Sequence, residues 1–189
     1  MKNKKKEIIL GVTASIAIYK ACQLIRQLKE EGFSVTVVMS KEAGKFIRPL
    51  VFQSLSGNKV YQGLFAPVQT WEIEHVALAD KANLVLVAPA TANIIGKLAS
   101  GIYDDLLTCI ISATRAPVLI CPAMNENMYK NKVVQDNIKR LKLYGYRFVE
   151  PKIGRLACGR KGWGRLAEPD EIIKEVKRIL KNKSGAVAK

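Results

Sequence analysis

The sequence contains no apolar run approaching the ~18 residues of a membrane span. It has a single histidine, His75, and four cysteines, Cys22, Cys109, Cys121 and Cys158, none of them in a CxxC pair. That supply offers neither zinc-ligand spacing nor a disulfide framework, so no metal site is expected and a reducing compartment suits the chain. Also missing are a GxGxxG fingerprint, the lysine of a P-loop and any internal repeat, which removes the simplest nucleotide-binding and solenoid readings. Met1 to Lys6 resembles the charged start of a signal peptide. Glu7 and the short strand-like run after it spoil that reading, and a soluble cytoplasmic chain is expected.

What is present fits one compact domain. The 189 residues are 49% hydrophobic, enough to bury a sizeable core. We expect a single domain over 1–182 and a disordered tail over 183–189. The net charge of +15 invites a nucleic-acid reading. The excess, however, gathers at the two ends, Lys2 to Lys6 and Lys174 to Lys189, and no basic and aromatic residues interleave as a stacking platform would require. It reads as solvated surface that also attracts anionic ligands, so neither nucleic acid nor membrane is expected as a partner.

Along the chain, apolar spacing alternates between strand and helix. Ile8 to Gly11 is a short apolar run, followed by helical spacing through Ile16, Tyr19, Ala21, Leu24, Ile25 and Leu28, and closed by Glu31 and Gly32. Phe33 to Val38 is the next strand, so the start of the chain is a βαβ unit. Asn58 to Glu74 carries no clear element, whereas Ala77 to Ala82 reads as helix. Leu84 to Ala88 is an uninterrupted buried strand ending at Pro89. Helices are expected over Ala92 to Ala99 and Asp104 to Thr114, then a strand from Ala116 to Cys121, a helix from Val133 to Leu143 and a strand from Tyr146 to Val149. Ile153 to Ala167, with four glycines among basic residues, reads as loop, and Pro169 opens the last helix. The fold class is α/β, a three-layer α/β/α Rossmann-like fold with a mostly parallel sheet of about six strands.

In such sheets ligands bind beyond the carboxyl ends of the strands. The first of these ends reads Gly11, Val12, Thr13, Ala14, Ser15, where side-chain hydroxyls stand in place of a phosphate-loop glycine. The second reads Met39, Ser40, Lys41, without the acidic residue that holds an adenosine ribose. Lys41 suits a 2′-phosphate, but a mononucleotide fits more simply, which favours FMN over NAD. The third reads Ala90, Thr91, Ala92, Asn93. The fourth runs Pro122, Ala123, Met124, Asn125, Glu126, Asn127, Met128, where Asn125 either caps the following helix or faces the site. Candidate cofactor-binding residues are Gly11, Thr13, Ala14, Ser15, Ser40, Thr91, Ala92, Asn93 and Ala123. His75 is the best proton-transfer group available, although a lone histidine is more often a surface or capping residue. Cys158, among Arg155, Arg160, Lys161 and Arg165, is the one cysteine with cations to favour a thiolate. Those cations also suit a ligand phosphate.

These residues together resemble the homo-oligomeric flavin-containing cysteine decarboxylase family, most closely its members acting on 4′-phosphopantothenoyl-cysteine. The resemblance rests on Gly11 to Ser15, the Glu74–His75 pair, Ala88 to Asn93, Pro122 to Met128 and Ala157 to Gly159. Tyr129 departs from it, since the family often has tryptophan there. The resemblance implies FMN held between the subunits of a trimer or dodecamer. It implies oxidation of the substrate cysteine to a thioaldehyde, decarboxylation to an enethiol and return of hydride and proton to give 4′-phosphopantetheine. His75 is then the base, Asn125 holds the substrate carboxylate with Met124 and Met128 shaping the pocket, and Cys158 returns the proton. Arg155, Lys161 and Arg165 are candidates for the substrate phosphate or carboxylate. It also implies either a free-standing enzyme or a flavoprotein half that works with a phosphopantothenate–cysteine ligase partner. A relative acting on a peptide cysteine or a pterin, and a non-catalytic flavin-binding regulatory subunit, are the alternatives.

Overall fold

The computed structural model describes residues 5–64, 74–155, 159 and 161–186. Six parallel strands form one sheet in the order β3-β2-β1-β4-β5-β6. They are β1 (Glu7–Val12), β2 (Ser34–Met39), β3 (Tyr61–Gln62), β4 (Leu84–Ala90), β5 (Val118–Pro122) and β6 (Arg147–Phe148). The order reverses direction between β1 and β4, so the crevice for a ligand falls at the carboxyl ends of those two strands.

Helices α1 (Tyr19–Glu30), α2 (Pro49–Ser56) and α8 (Pro169–Ala186) cover one face. Helices α3 (Glu74–Lys81), α4 (Ala92–Ala99), α5 (Leu106–Ala113) and α7 (Lys132–Leu143) cover the other. The alternation of β1 decides which residue meets which layer. Ile8, Leu10 and Val12 pack under α1 and α8, while Ile9 packs with the opposite layer. Gly11 continues the second set: a side chain there would come within 2.6 Å of the Leu107 methyl groups, so its bareness lets α5 sit close to the sheet.

The sequence pattern placed five of the strands and the helices of both layers other than α2. The sixth strand, β3, lies in the stretch read as featureless, because two residues at a sheet edge carry too little pattern to register. Helix α3 begins three residues earlier than expected, which puts His75 in its first turn. The final helix runs to Ala186, past the expected boundary at 182, and residues from 187 onward lie outside the described ones. The larger correction concerns Ile153 to Ala167. Instead of a loop it holds an antiparallel hairpin, β7 (Lys152–Arg155) with β8 (Lys161–Arg165), pairing Ile153 with Trp163 and Arg155 with Lys161. Its glycines hid it from any alternation count.

Candidate active site

Every functional strand end is also a helix cap. Ser15 is extended, and its Oγ accepts the Ala17 N–H at 3.3 Å, starting a 3-10 turn before α1. Ser40 does the same for Ala43 at 3.3 Å. Thr91 caps α4 through the Ile94 N–H at 3.5 Å. Asn125 caps the short helix α6 (Glu126–Lys130), its Oδ1 accepting the Asn127 N–H at 2.9 Å. The capping and site readings are therefore compatible, because a cap consumes only an acceptor. Ser15 and Thr91 each keep an O–H to donate. In Asn125 the cap settles which way the amide faces, so its remaining group is an NH2 with two donors.

Thr13 binds two of these ends together. Its hydroxyl donates to the Pro89 carbonyl at 2.7 Å and accepts the Thr91 N–H at 3.1 Å, while its own N–H also reaches Pro89 at 3.3 Å. Buried and doubly bonded, Thr13 acts as the clamp between β1 and β4 at the switch point.

A cleft of about 690 Å³ opens here, lined by Ala14, Ser15, Thr91, Ala123, Met124, Asn125 and Met128 on the strand-end side. Its far wall carries Lys20, Arg155, Gly159, Gly164, Arg165 and Leu166. Among the described residues no carboxylate lines it; its polar lining is made of the hydroxyls of Ser15, Tyr19 and Thr91, the Asn125 amide and the cations Lys20, Arg155 and Arg165. A phosphate-bearing, carboxylate-bearing ligand fits such a lining.

The hairpin closes one side of the cleft by approaching the 122–128 segment at backbone distance. Met124 N–H donates to the Gly164 carbonyl at 3.0 Å. A side chain on Gly164 would overlap the Met124 carbonyl oxygen, and its φ of 118° is itself unfavourable for other residues. At Gly162 a side chain would collide with the Glu126 carboxylate. That carboxylate is held below the usual range by Lys130, and secondly by the backbone N–H of Trp163. The indole of Trp163 stacks on Tyr129 at 6.5 Å. The glycines that made this stretch look like a loop are what let it dock.

Not all candidates meet at the cleft. Gly11 faces Leu107 from within β1, and Thr13 is buried behind the lining. Ser40, Ala92 and Asn93 sit at strand ends or in a first helical turn without lining it, and Lys161 is exposed opposite Arg155. His75 is half-buried on α3, a helix packed on α5, and does not reach the cleft within one chain. Cys158 lies outside the described residues; its sequence neighbour Gly159 lines the cleft. Burial raises the thiols of Cys22, Cys109 and Cys121 above their ordinary values, in keeping with a passive apolar role. Lys20 is the charged lining residue that sequence reasoning missed. The signal was there, since Lys20, Leu24 and Leu28 form one stripe at i, i+4 spacing, and a lysine on an apolar stripe calls for a partner.

A model of the flavoprotein family matches residues 1–181. This chain belongs to that family. It is 46% identical over 181 residues to the coenzyme A biosynthesis bifunctional protein CoaBC of Bacillus subtilis, covering 96% of this flavoprotein and 45% of that relative. It spans under half the length of such bifunctional relatives. It is also 43% identical to a probable phosphopantothenoylcysteine decarboxylase of Streptococcus mutans, covering 93% of the chain and 99% of the relative. Among solved structures, the FMN-dependent cysteine decarboxylase SpaF superposes with a TM-score of 0.83 at 26% identity, covering 95% of this chain and 97% of that one. A PPC decarboxylase with a cysteine-to-serine change, complexed with pantothenoylaminoethenethiol, gives 0.80 at 29% identity over 92% of this chain and 97% of that one.

Proposed function

We propose that this flavoprotein binds FMN and decarboxylates 4′-phosphopantothenoyl-cysteine to 4′-phosphopantetheine in coenzyme A biosynthesis. The observation that carries the reading is the donor-rich cleft, with no carboxylate among the described residues that line it, built where three strand ends meet a cationic wall. The names of the full-length relative and of the bifunctional relatives support the same assignment.

The residues present suit a flavin mononucleotide. The hydroxyls of Ser15 and Thr91, each polarised by a capped helix N-terminus, would hold its phosphate. When bound, FMN supplies the reversible two-electron chemistry that lets an unactivated carboxylate leave as carbon dioxide. The protein's share is placement. The outward NH2 of Asn125 would hold the substrate carboxylate, with the thioethers of Met124 and Met128 around it. His75 would take a substrate proton from the subunit next to the one whose cleft is filled, which accords with its distance from the cleft in a single chain. Cys158, between Arg155 and Lys161 in the sequence, would return a proton to the product carbon. The same reading makes the working form a homotrimer or a dodecamer built of trimers, in the cytoplasm, in company with a phosphopantothenate–cysteine ligase.

Asn125→Asp tests this sharply, because aspartate caps a helix as well as asparagine does while turning the outward donor into a negative charge. The variant should keep its flavin absorbance and its melting temperature. Carbon dioxide release from synthetic 4′-phosphopantothenoyl-cysteine should fall by at least about a hundredfold, because a charge-assisted hydrogen bond is replaced by a repulsion. Loss of flavin together with activity would move Asn125 to the cofactor. Wild-type holoprotein that released no carbon dioxide would sink the assignment as a whole.

A further inference from the structure

Among the described residues Lys20 is the only charged residue that is buried. It projects from the first turn of α1 into the cleft wall, with Nζ 3.0 Å from Glu168 Oε2 and 3.4 Å from the Leu166 carbonyl. The other oxygen of Glu168 accepts from Arg165 Nη2 at 2.6 Å. One carboxylate thus serves two cations that line the same cleft, leaving the trio with a net positive charge. Arg155, the third cation of the lining, has no carboxylate partner among the described residues.

A buried cation is an expensive way to fill space, and a methionine of similar volume would pack there at lower cost. The side chain of Glu168 is 49% exposed against 7% for Lys20, so the carboxylate can swing into solvent whereas the ammonium cannot. The arrangement is a fixed charge with a removable counter-ion.

We propose that Lys20 binds an anionic group of the substrate, and that Glu168 is its resting counter-ion, displaced when that group arrives. This rests on the decarboxylase reading. The group is a carboxylate or a phosphate, both of which the substrate carries, and both accept from an ammonium in the same way.

The test uses flavin-loaded protein and 4′-phosphopantothenoyl-alanine, which keeps both anionic groups and lacks the thiol, so binding is measured by calorimetry without turnover. Lys20→Met should weaken binding about tenfold or more, the loss of one charge-assisted hydrogen bond. Glu168→Gln should strengthen it about two- to fivefold, since an exposed competitor is removed. If the dephosphorylated analogue shows the same loss in Lys20→Met, the group is the carboxylate; if only the phosphorylated analogue does, it is the phosphate. Unchanged affinity in Lys20→Met overturns the proposal. So does weaker binding in Glu168→Gln, which would make Glu168 part of the site's frame, or loss of flavin from Lys20→Met, which would give the lysine to the cofactor. Wild type that binds the analogue but releases no carbon dioxide from the cysteine compound leaves this inference standing and removes the reaction. Wild type that does not bind the analogue removes both.

Discussion

The two walls of the cleft are held by different means. On the strand-end wall, each polar side chain is tied to its own neighbourhood: Ser15 to Ala17, Thr91 to Ile94 and Asn125 to Asn127. On the hairpin wall, what holds β7 and β8 in place comes from far along the chain, through Gly164 against Met124, Trp163 against Tyr129 and Glu168 against Lys20. Local bonds make a wall rigid whether or not a ligand is bound. Contacts between distant, partly exposed segments make one that responds to what enters.

The largest effect expected from breaking that contrast is at Gly164. Gly164→Ala meets a backbone oxygen that cannot give way and a φ that costs ~1–3 kcal/mol by itself, so the hairpin must leave the 122–128 segment. Decarboxylation should fall by about a hundredfold or more, with new proteolytic cutting inside 152–165 and a nearly unchanged melt of the sheet. Gly11→Ala is the counterpart. The added methyl there meets only the flexible end of Leu107, so it should cost about 1–3 kcal/mol of stability and leave the hairpin uncut. If both variants behaved alike, the two walls would be one cooperative unit.

A smaller effect is expected on the rigid wall itself. Thr13→Val keeps the shape but leaves the Pro89 carbonyl with one weak donor and the Thr91 N–H with none, which costs about 1–3 kcal/mol. For a chain of this size that is a fall of roughly 2–4 °C in melting temperature per kcal/mol. Flavin content should fall as well, since Thr13 sets the spacing of the Ser15 and Thr91 caps. A stable variant with full flavin would show that the clamp is dispensable.

The same contrast explains what could be read from the sequence. Caps, strands and the β1–β4 switch point follow from short-range pattern: Ser15, Thr91 and Asn125 each stand immediately before a helix, and β1 and β4 are apolar runs. The hairpin carries no such signature, because Gly162 and Gly164 answer to a neighbour some 40 residues away. Its basic residues were legible as cations, but nothing in the glycine-rich sequence says that Arg155 and Arg165 line the cleft while Lys161 does not. His75 was legible as chemistry and not as geometry: the helix that carries it packs on α5, and nothing in its spacing says which cleft it serves.

The smallest effect concerns acid, and its sign is fixed by two carboxylates beside the hairpin, Glu126 on α6 and Glu168 just after β8. Glu126 is held below its ordinary value by Lys130 and then by the Trp163 N–H, and Glu168 by Lys20 first. A carboxylate lowered in the docked state contributes fully above its free value and loses that contribution as pH falls through the docked one. Docking is therefore undiminished at neutral pH and weakens from about pH 4.3 downward, the ordinary glutamate range, until both groups are protonated. Glu168 is exposed and Glu126 partly so, so each contribution is small and fades in salt. The strand-end wall offers no comparable titration, because Ser15, Thr91 and Asn125 hold their helices without charge. In a Trp71→Phe background Trp163 is the only indole, and its fluorescence should report undocking at a higher pH than the loss of far-ultraviolet dichroism. Coincident transitions would mean that the hairpin is as firmly built into the fold as the strand ends it faces.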